Sequence, residues 1–489
     1  MSANSPSSVR SGSALATYIL RTVVVGAGAC ALTFVLLGTN PVFVVAALMT
    51  VIGLAISLAR PLVGFIVYLA LIQVIDFIKR LTLAFGDPSP VEWFGIILLP
   101  DLILGSVVGG ILLSHLWHRP RQLALKYRLV GFVIFLYALW YSVRALWTEA
   151  PLLNAIGKWK VAIPYLLCFY IGARLLSDTK ALRCILKTLA LSVSVAALYG
   201  IAQFAFGMTS FEERWLFEGR TILSPDTLLM FDILRPFSSY SDPGTFGYTL
   251  AILVTLLLFS RRTFGRAYWN SNWLVGLLLL ALASTIVRSA WLLGIVGIMT
   301  YLLTKRPREW LGVATAVLLL IAAIRPSLRE VRTLQVASSS PFASRAVVTG
   351  TYGDRIRGFR NLIDLGIVYS VLGNGVGTTP GSVRDIAGTE VHRQFVAHDY
   401  MTESLYEVGW IGFGLLLMIV VLCLRRPTPH FLGSAATGFR VVVVGTLLTA
   451  VLFGGSPMQC RPVNTLFWLG LGLLCAVPRE QGAGVARHP

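Results

Sequence analysis

The chain has 489 residues, of which 56% are hydrophobic and 13% are charged, and its mean hydropathy is +0.76. Soluble domains carry about 25% charged residues, so the composition excludes an ordinary soluble protein. The net charge of +19 does not indicate nucleic-acid binding, because the basic residues occupy short segments between apolar stretches, where membrane topology accounts for them.

Apolar stretches long enough to cross a hydrocarbon core of about 30 Å recur along the whole chain. They follow a polar, serine-rich N-terminal tail. We predict an all-α polytopic membrane protein with 12–14 transmembrane helices, the candidates lying near residues 22–37, 42–59, 61–78, 93–114, 129–147, 161–176, 185–206, 246–260, 273–287, 289–303, 310–324, 405–424, 441–454 and 463–477.

The basic residues orient these helices. With the N-terminus inside, cytoplasmic segments hold 20 Lys and Arg residues. The short external loops hold six, which are Lys79, Arg80, Lys158, Lys160, Arg288 and Arg461. This asymmetry follows the positive-inside rule and places both termini in the cytoplasm. Residues 273–303 are compatible with one long helix or with a hairpin, and the charges favour a hairpin with Arg288 at its tip.

This topology divides the chain into seven regions. Two long polar segments fall outside the cytoplasm, and long loops are uncommon unless they have a function, so we expect the chemistry there. The regions are a disordered tail (1–21), an N-terminal bundle (22–206), an extracytoplasmic loop (207–245), helices with the arginine hairpin (246–324), a large extracytoplasmic catalytic loop (325–404), C-terminal helices (405–478) and a cytoplasmic tail (479–489).

Two charged residues stand out before the hairpin. Asp101 lies inside a predicted span directly after Pro100, where it is either a functional residue or a partner for backbone groups that the proline frees. Arg235 opens the stretch RPFSSYSDPGTFGYTL. Its prolines and glycines force a non-helical path that can turn backbone N–H groups and the arginine toward an anion. Alternatively, the stretch only caps the next helix.

Arginine is also concentrated farther along. Arg288 at the hairpin tip lies near hydrocarbon, which is costly for a charge, so it either meets an anionic group or snorkels to the interface. Residues 325–404 contain nine Arg and no Lys. A guanidinium binds phosphate oxygens in a bidentate manner, although a general preference for Arg over Lys in this chain is an equally good explanation.

Two histidines, His392 and His398, fall outside the cytoplasm. A neutral histidine suits general-base work near neutral pH, and His398 lies close to the next span. The alternative is an ordinary solvated loop residue. A metal site is a poor interpretation, because His398, Asp399, Glu403 and Glu407 lack the paired histidines of a zinc helix.

The motifs follow a fixed order: R-P-F-S-S-Y-S-D-P-G-T-F-G (235–247), I-V-R-S-A-W (286–291), D-R-I-R-G-F (354–359), V-L-G-N-G-V-G (371–377) and H-D-Y…E-V-G-W-I-G (398–412). This order resembles the O-antigen ligase and polysaccharide polymerase superfamily of bacterial envelope glycosyltransferases. The resemblance covers residues 235–415, and the N-terminal half matches only as a bundle of spans. It implies a GT-C-like helical fold in the bacterial plasma (inner) membrane, with the active site on the periplasmic face.

The resemblance also implies roles for individual residues. Arg235 and Arg288 would hold the pyrophosphate of an undecaprenyl-linked donor glycan, and Arg355 would be a further loop arginine. His398 would be the general base. Asp399 is uncertain, because the family often has His-Asn at this point. The family also often has Ser-Arg-Gly at the hairpin, where this chain has Val-Arg-Ser (287–289). The glycine-rich turn would be shaped by Gly373, Gly375 and Gly377.

The expected function is the polymerisation of an exopolysaccharide or O-antigen, without a cofactor or obligatory metal. The acceptor would be another lipid-linked glycan. An O-antigen ligase, which transfers the glycan to lipid A core, is the alternative within the family. A flippase or other transporter of lipid-linked glycan is the alternative from another class. Expected partners are membrane lipids, a flippase and a chain-length regulator, and no nucleic acid.

Overall fold

The computed structural model describes residues 41–84, 86, 89–117, 128–175, 179–217, 229–230, 233–304, 370–379, 400–427, 429–452, 458 and 460–476. These residues are almost entirely helical. A short antiparallel pair joins β1 (Leu229–Met230) to β2 (Ile233–Leu234). The helices are α1 (Pro41–Ala59), α2 (Pro61–Leu71), α3 (Ile75–Ala84), α4 (Pro90–Trp117), α5 (Arg128–Leu146), α6 (Leu152–Ala162), α7 (Leu166–Leu175), α8 (Thr179–Phe206), α9 (Ser210–Phe217), α10 (Pro243–Phe264), α11 (Asn272–Ser284), α12 (Arg288–Leu303), α13 (Tyr400–Leu424), α14 (Ala435–Leu452) and α15 (Arg461–Leu474).

Six helical stretches in the described ranges are long and apolar enough to cross a membrane: Gly95–Leu113, Arg128–Leu146, Leu152–Arg174, Thr179–Phe206, Pro243–Phe264 and Tyr400–Leu424. The pair α2 and α3, bent by 55°, would add a seventh if it is one span. The prediction of an all-helical protein of membrane type is thereby confirmed. The count of 12–14 spans, the GT-C-like arrangement and the large external loop remain predictions, and most of residues 305–399 lies outside the described ranges.

The contacts divide the chain into two units, residues 1–124 with 208–218 and residues 125–207 with 219–489. The predicted N-terminal bundle of 22–206 is therefore split between them. In the first unit, the Arg80 Nη1 atom on α3 donates to Glu212 Oε1 on α9 at 2.9 Å, and both side chains are fully buried. Arg80 was predicted to lie in a loop and lies instead on α3, where the ion pair with a distant helix compensates its burial.

In the second unit, α10 is the central helix. Other parts of the protein bury 94% of the residues in the apolar stretch of α10, but only 28% of those in the apolar stretch of α5. It packs against α8, α11, α12, α14 and α15. Its start is defined by Asp242, whose Oδ1 atom accepts a hydrogen bond from the Thr245 N–H at 2.8 Å, and it ends at Gly265, which has a φ of 72°. Of the two interpretations of this stretch, helix capping is therefore present.

Residues 272–303 form a hairpin rather than one helix. At the end of α10, the Arg261 Nη1 atom donates to Asn272 Oδ1 at 2.9 Å, at the beginning of α11. The neighbouring Arg262 donates through Nη1 to Thr304 Oγ1 at 2.8 Å, just after α12. Both outer ends of the pair thus meet the same end of α10, while the break at 285–287 lies beside Gly247 at its other end. The predicted hairpin is confirmed.

Close helix packing predicts a specific sensitivity to an added methyl group. A Cβ on Gly472 of α15 would lie 2.1 Å from the Phe169 carbonyl oxygen of α7, whereas a Cβ on Gly414 of α13 meets nothing within 4 Å among the described residues. We expect Gly472→Ala to lower the stability by about 1–3 kcal/mol through overpacking, and Gly414→Ala to leave it unchanged or slightly raised. Thermal unfolding of both variants in detergent measures this, and equal midpoints would contradict the packing.

Candidate functional site

The chain that enters α10 is held by a buried glutamine of α8. The Gln203 Oε1 atom accepts hydrogen bonds from the backbone N–H groups of Phe237 at 3.2 Å and Ser238 at 2.7 Å. Ser238 adopts a positive φ of 53°, and its hydroxyl donates to a backbone carbonyl of α8 at 2.5 Å. These bonds fix the non-helical path that begins at Arg235.

Arg235 joins this path to the tip of the hairpin. Its Nε atom donates to the Thr285 carbonyl oxygen at 3.3 Å. Thr285 follows α11 directly, and Arg288 is the first residue of α12. A Cβ on Gly247 would lie 3.2 Å from Thr285 Oγ1 and 3.0 Å from the Ala290 side chain, so the glycine allows the tip to pack closely on α10. Two arginines that are 53 positions apart in the sequence therefore belong to one end of the hairpin and of α10.

The electrostatics of this end show that the two guanidinium groups interact. Burial lowers the pKa of Arg235, the charge of Asp242 opposes that change, and the positive charge of Arg288 lowers the pKa further. Arg288 itself is exposed. Two like charges, one half-buried and one exposed, repel each other at this end of the hairpin, and a negatively charged group between them would relieve that repulsion.

Other predicted site residues fall elsewhere. His398, Asp399 and Arg355 lie outside the described residues, so their roles remain predictions. Asp101 is half-buried on α4 and belongs to the first unit, whereas Arg235 and Arg288 belong to the second.

The glycine-rich turn is shaped by three positive φ angles, which are 77° at Gly373, 106° at Gly375 and 87° at Gly377. L-residues with a side chain rarely adopt such angles. Space is restricted too, because a Cβ on Gly373 would lie 2.6 Å from the Glu407 carbonyl oxygen and one on Gly375 would lie 2.7 Å from Thr148 Cα. The predicted loop-shaping role of these glycines thus has a physical basis.

A second polar cluster was not predicted from the sequence. Lys158 of α6 forms a short ion pair with Glu403 of α13, and its Nζ atom lies 3.8 Å from Glu407 Oε1. The Thr379 hydroxyl lies 2.5 Å from the same Glu407 oxygen. These charged side chains are at most 6% exposed. Lys158 was predicted to lie in a loop and lies instead within the helical stretch Leu152–Arg174.

A small polar cavity of ≈ 20 Å³ adjoins this cluster. It has room for about one water molecule. Asn464 lines it. Its Nδ2 atom donates to the Val161 carbonyl at 2.9 Å, whereas its buried Oδ1 atom has no hydrogen-bond partner among the described residues. A buried polar oxygen without a partner is typical of a water site. The other polar and aromatic lining residues include Tyr137, Tyr141, Tyr400, Ser404 and Trp468.

The arginine pair and the ion cluster lie toward the same end of the second unit. The last turn of α10 bonds to the segment before α14, where the Phe259 carbonyl accepts from the Ser434 hydroxyl at 2.9 Å. The end of α13 meets α14 as well, since Arg440 Nη2 donates to the Arg426 carbonyl at 3.0 Å. The first turns of α10 and α13, and with them Arg235 and Glu403, are therefore at the opposite end of these helices.

One feature of the sequence could have indicated the ion cluster. Glu403 and Glu407 are four positions apart, which puts two carboxylates on one face of a helix that is otherwise apolar. Two buried like charges require a compensating cation, but the sequence does not identify Lys158, which is 245 positions away. In the described part of the chain, no group of three or more His, Cys, Asp or Glu side chains is arranged to hold a metal ion.

The fold and the site define a helical protein of membrane type, with an arginine pair and a buried ion cluster at one end of its larger unit. No protein-family model matches the chain, and no curated protein matches it either. Its function is therefore argued from these residues.

The buried ion cluster predicts a charge-dependent stability. Lys158→Met would leave two buried carboxylates without their cation, and we expect a loss of about 3–5 kcal/mol. The double variant Lys158→Met/Glu403→Gln leaves only one buried carboxylate without a cation instead of two, and should recover part of that loss. Thermal unfolding in detergent at constant pH measures both, and a single variant as stable as the parent would contradict the assigned ion pairs.

Proposed function

We propose that the protein is a membrane glycosyltransferase that transfers a glycan from undecaprenyl pyrophosphate to a sugar hydroxyl, and that it polymerises a surface polysaccharide. The observation that carries this proposal is the meeting of Arg235 and Arg288 at one end of α10, with their charges close enough to perturb each other. Guanidinium pairs suit the oxygens of a pyrophosphate. The order of the sequence motifs supports the same assignment.

In the proposed reaction, a hydroxyl of the acceptor attacks C1 of the donor sugar. A new C1–O bond forms while the bond from C1 to the pyrophosphate oxygen breaks. His398 takes the hydroxyl proton as general base. Undecaprenyl pyrophosphate departs with the bonding electrons, and Arg235 and Arg288 stabilise the negative charge that develops on the departing oxygen. The reaction needs no nucleotide sugar, since the donor lipid already carries an activated glycan, and the proposed location is the periplasmic face of the plasma membrane.

The same chemistry fits two acceptors. A polymerase transfers the glycan to another lipid-linked repeat, and a ligase transfers it to lipid A core. We favour the polymerase, because the chain is long for a ligase and its loops are acidic as well as basic. In a deletion strain, we expect single repeats to remain while long chains are lost. Intact free polymer that is never attached would instead identify a ligase.

A transporter of lipid-linked glycan is the candidate of another class, and one observation favours it. Ionisable residues buried within membrane helices often mark a transport path, and Lys158, Glu403 and Glu407 are such residues. Against this, they are paired with one another and pack against the glycine-rich turn. Purified protein in liposomes that moves labelled lipid-linked glycan without forming a glycosidic bond would favour the transporter.

Removing one arginine tests the proposed anion site. Arg288→Ala should lower kcat/KM for a lipid-linked donor about 100- to 1000-fold, the usual effect of losing one charge-stabilising donor. Arg266→Ala is the matched control, because Arg266 is an exposed arginine just after the other end of α10, and it should retain full activity. Glycan transfer by the purified variants measures this. Equal activity of both variants would refute the role of Arg288.

The proposed general base is tested by pH. His398→Ala should reduce transfer to background while membrane insertion stays normal. In the parent protein, kcat/KM should fall below about pH 6.5, where an unperturbed histidine becomes protonated and stops acting as a base. A full rate in His398→Ala at any pH would exclude this residue as the base.

A further inference from the structure

Glu407 binds the glycine-rich turn, residues 370–379, through three contacts. Its Oε1 atom accepts the Gly377 N–H at 3.1 Å and lies 2.5 Å from the Thr379 hydroxyl oxygen. Its backbone carbonyl accepts the Gly375 N–H at 3.0 Å. One residue of α13 thus bonds to three alternate positions of the turn, to two of them through its side chain and to the third through its backbone.

The turn enters a break in α13. Gly409 has a φ of 66°, which interrupts the helix between Val408 and Trp410. A Cβ on Gly409 would lie 2.3 Å from the Val371 carbonyl oxygen, and that carbonyl accepts the Ile411 N–H at 3.3 Å. The break in α13 is therefore at the place where the turn packs. There, a backbone N–H group of α13 bonds to the turn instead of to the preceding turn of its own helix.

The end of α5 holds the turn from the other side. The Arg144 Nη2 atom donates to the Gly373 carbonyl at 2.8 Å, and the Arg144 carbonyl accepts the Val376 N–H at 3.1 Å. The Thr148 hydroxyl donates to the Val376 carbonyl at 3.0 Å. The turn is consequently fixed between α5 and α13.

Burying a carboxylate at this position costs desolvation free energy, so stability alone does not explain why a glutamate is found here. Buried ion pairs can often be replaced by apolar side chains of similar volume without loss of stability. Glu407 also lies near a second carboxylate, and one ammonium group, that of Lys158, serves both. An apolar side chain could fill the same space but could not orient the turn. The Glu407 Oε1 atom orients it by accepting hydrogen bonds from Gly377 and Thr379.

We propose that Glu407 is a positioning residue of the transfer reaction, which acts by fixing the turn that ends at Thr379 against the start of α13. The inference rests on the proposed function. Thr379 and Tyr400 border residues 380–399 in the sequence, and His398 is two residues before Tyr400. Thr379 is bonded to Glu407 and Tyr400 lines the adjoining cavity, so the two described residues that stand on either side of the proposed base in the sequence meet at the cluster.

The first test measures kcat in variants in which Lys158 keeps at least one carboxylate partner. Glu407→Leu removes the accepting oxygen and leaves Lys158 paired with Glu403, and Thr379→Val removes one hydroxyl at constant shape. Both should lower kcat, by up to about 100-fold for a displacement of about 1 Å, with the donor KM changed less than about threefold. Glu407→Gln keeps an accepting oxygen and should restore most of kcat.

The matched control for Thr379→Val is Thr446→Val. Thr446 is a fully buried threonine of α14 whose hydroxyl has no hydrogen-bond partner in the part of the chain that the structure describes, so this variant should keep the parent kcat. The inference is overturned if Thr379→Val and Glu407→Leu turn over at the parent rate. It is equally overturned if their kcat falls only in proportion to a loss of folded protein, or if Glu407→Gln is as slow as Glu407→Leu.

The second test does not depend on activity. Spin labels at Leu372 of the turn and Leu146 at the end of α5, both exposed, are introduced into a cysteine-free background. Their distance distribution should be narrow in the parent and in Glu407→Gln, and broader in Glu407→Leu. An unchanged distribution in Glu407→Leu overturns the inference. A parent protein that transfers no glycan would instead refute the proposed function, and the label distances would still decide whether Glu407 fixes the turn.

Discussion

The charge of Lys158 must be compensated inside a bundle of apolar helices, and much of the larger unit is arranged to do so. Charged groups cannot remain unpaired in such surroundings. The two carboxylates that compensate Lys158 come from α13, which brings the start of that helix against α6. The second carboxylate is satisfied further by the glycine-rich turn. One buried cation thus links three segments that are far apart in the sequence.

The arginine pair is related to this cluster by topology rather than by direct contact. Arg235 is fixed by the capped start of α10 and by the hairpin tip, while Glu403 and Glu407 are fixed at the start of α13. Both helices point these starts toward the same end of the unit. The proposed glycosyl transfer fits this arrangement, because its leaving group and its attacking hydroxyl would have to meet on one side of the membrane. A transport path would instead require polar groups along the full length of the helices.

The sequence predicted those features that depend on local patterns. Composition and the length of the apolar stretches indicated the helical membrane class, loop charges indicated the hairpin at residues 273–303, and the resemblance of the motifs implied the glycine-rich turn. Lys158 and Arg80 were assigned to loops but lie on helices, since each stands with a second basic residue near the edge of an apolar stretch. Their partners, Glu403 and Glu212, are 245 and 132 positions away. Only tertiary packing identifies such pairs, because a charge near a span end has the same sequence pattern whether it is solvated or buried.

The most direct measurement of the central claim is a reaction of the purified protein with a defined undecaprenyl-pyrophosphate oligosaccharide, with and without added acceptors. The account predicts glycosidic bond formation with one undecaprenyl pyrophosphate released for each glycan transferred, and longer lipid-linked chains when the donor is the only substrate. The absence of any transferred glycan with every acceptor, while the same preparation moves the lipid-linked donor across liposome membranes, would contradict it.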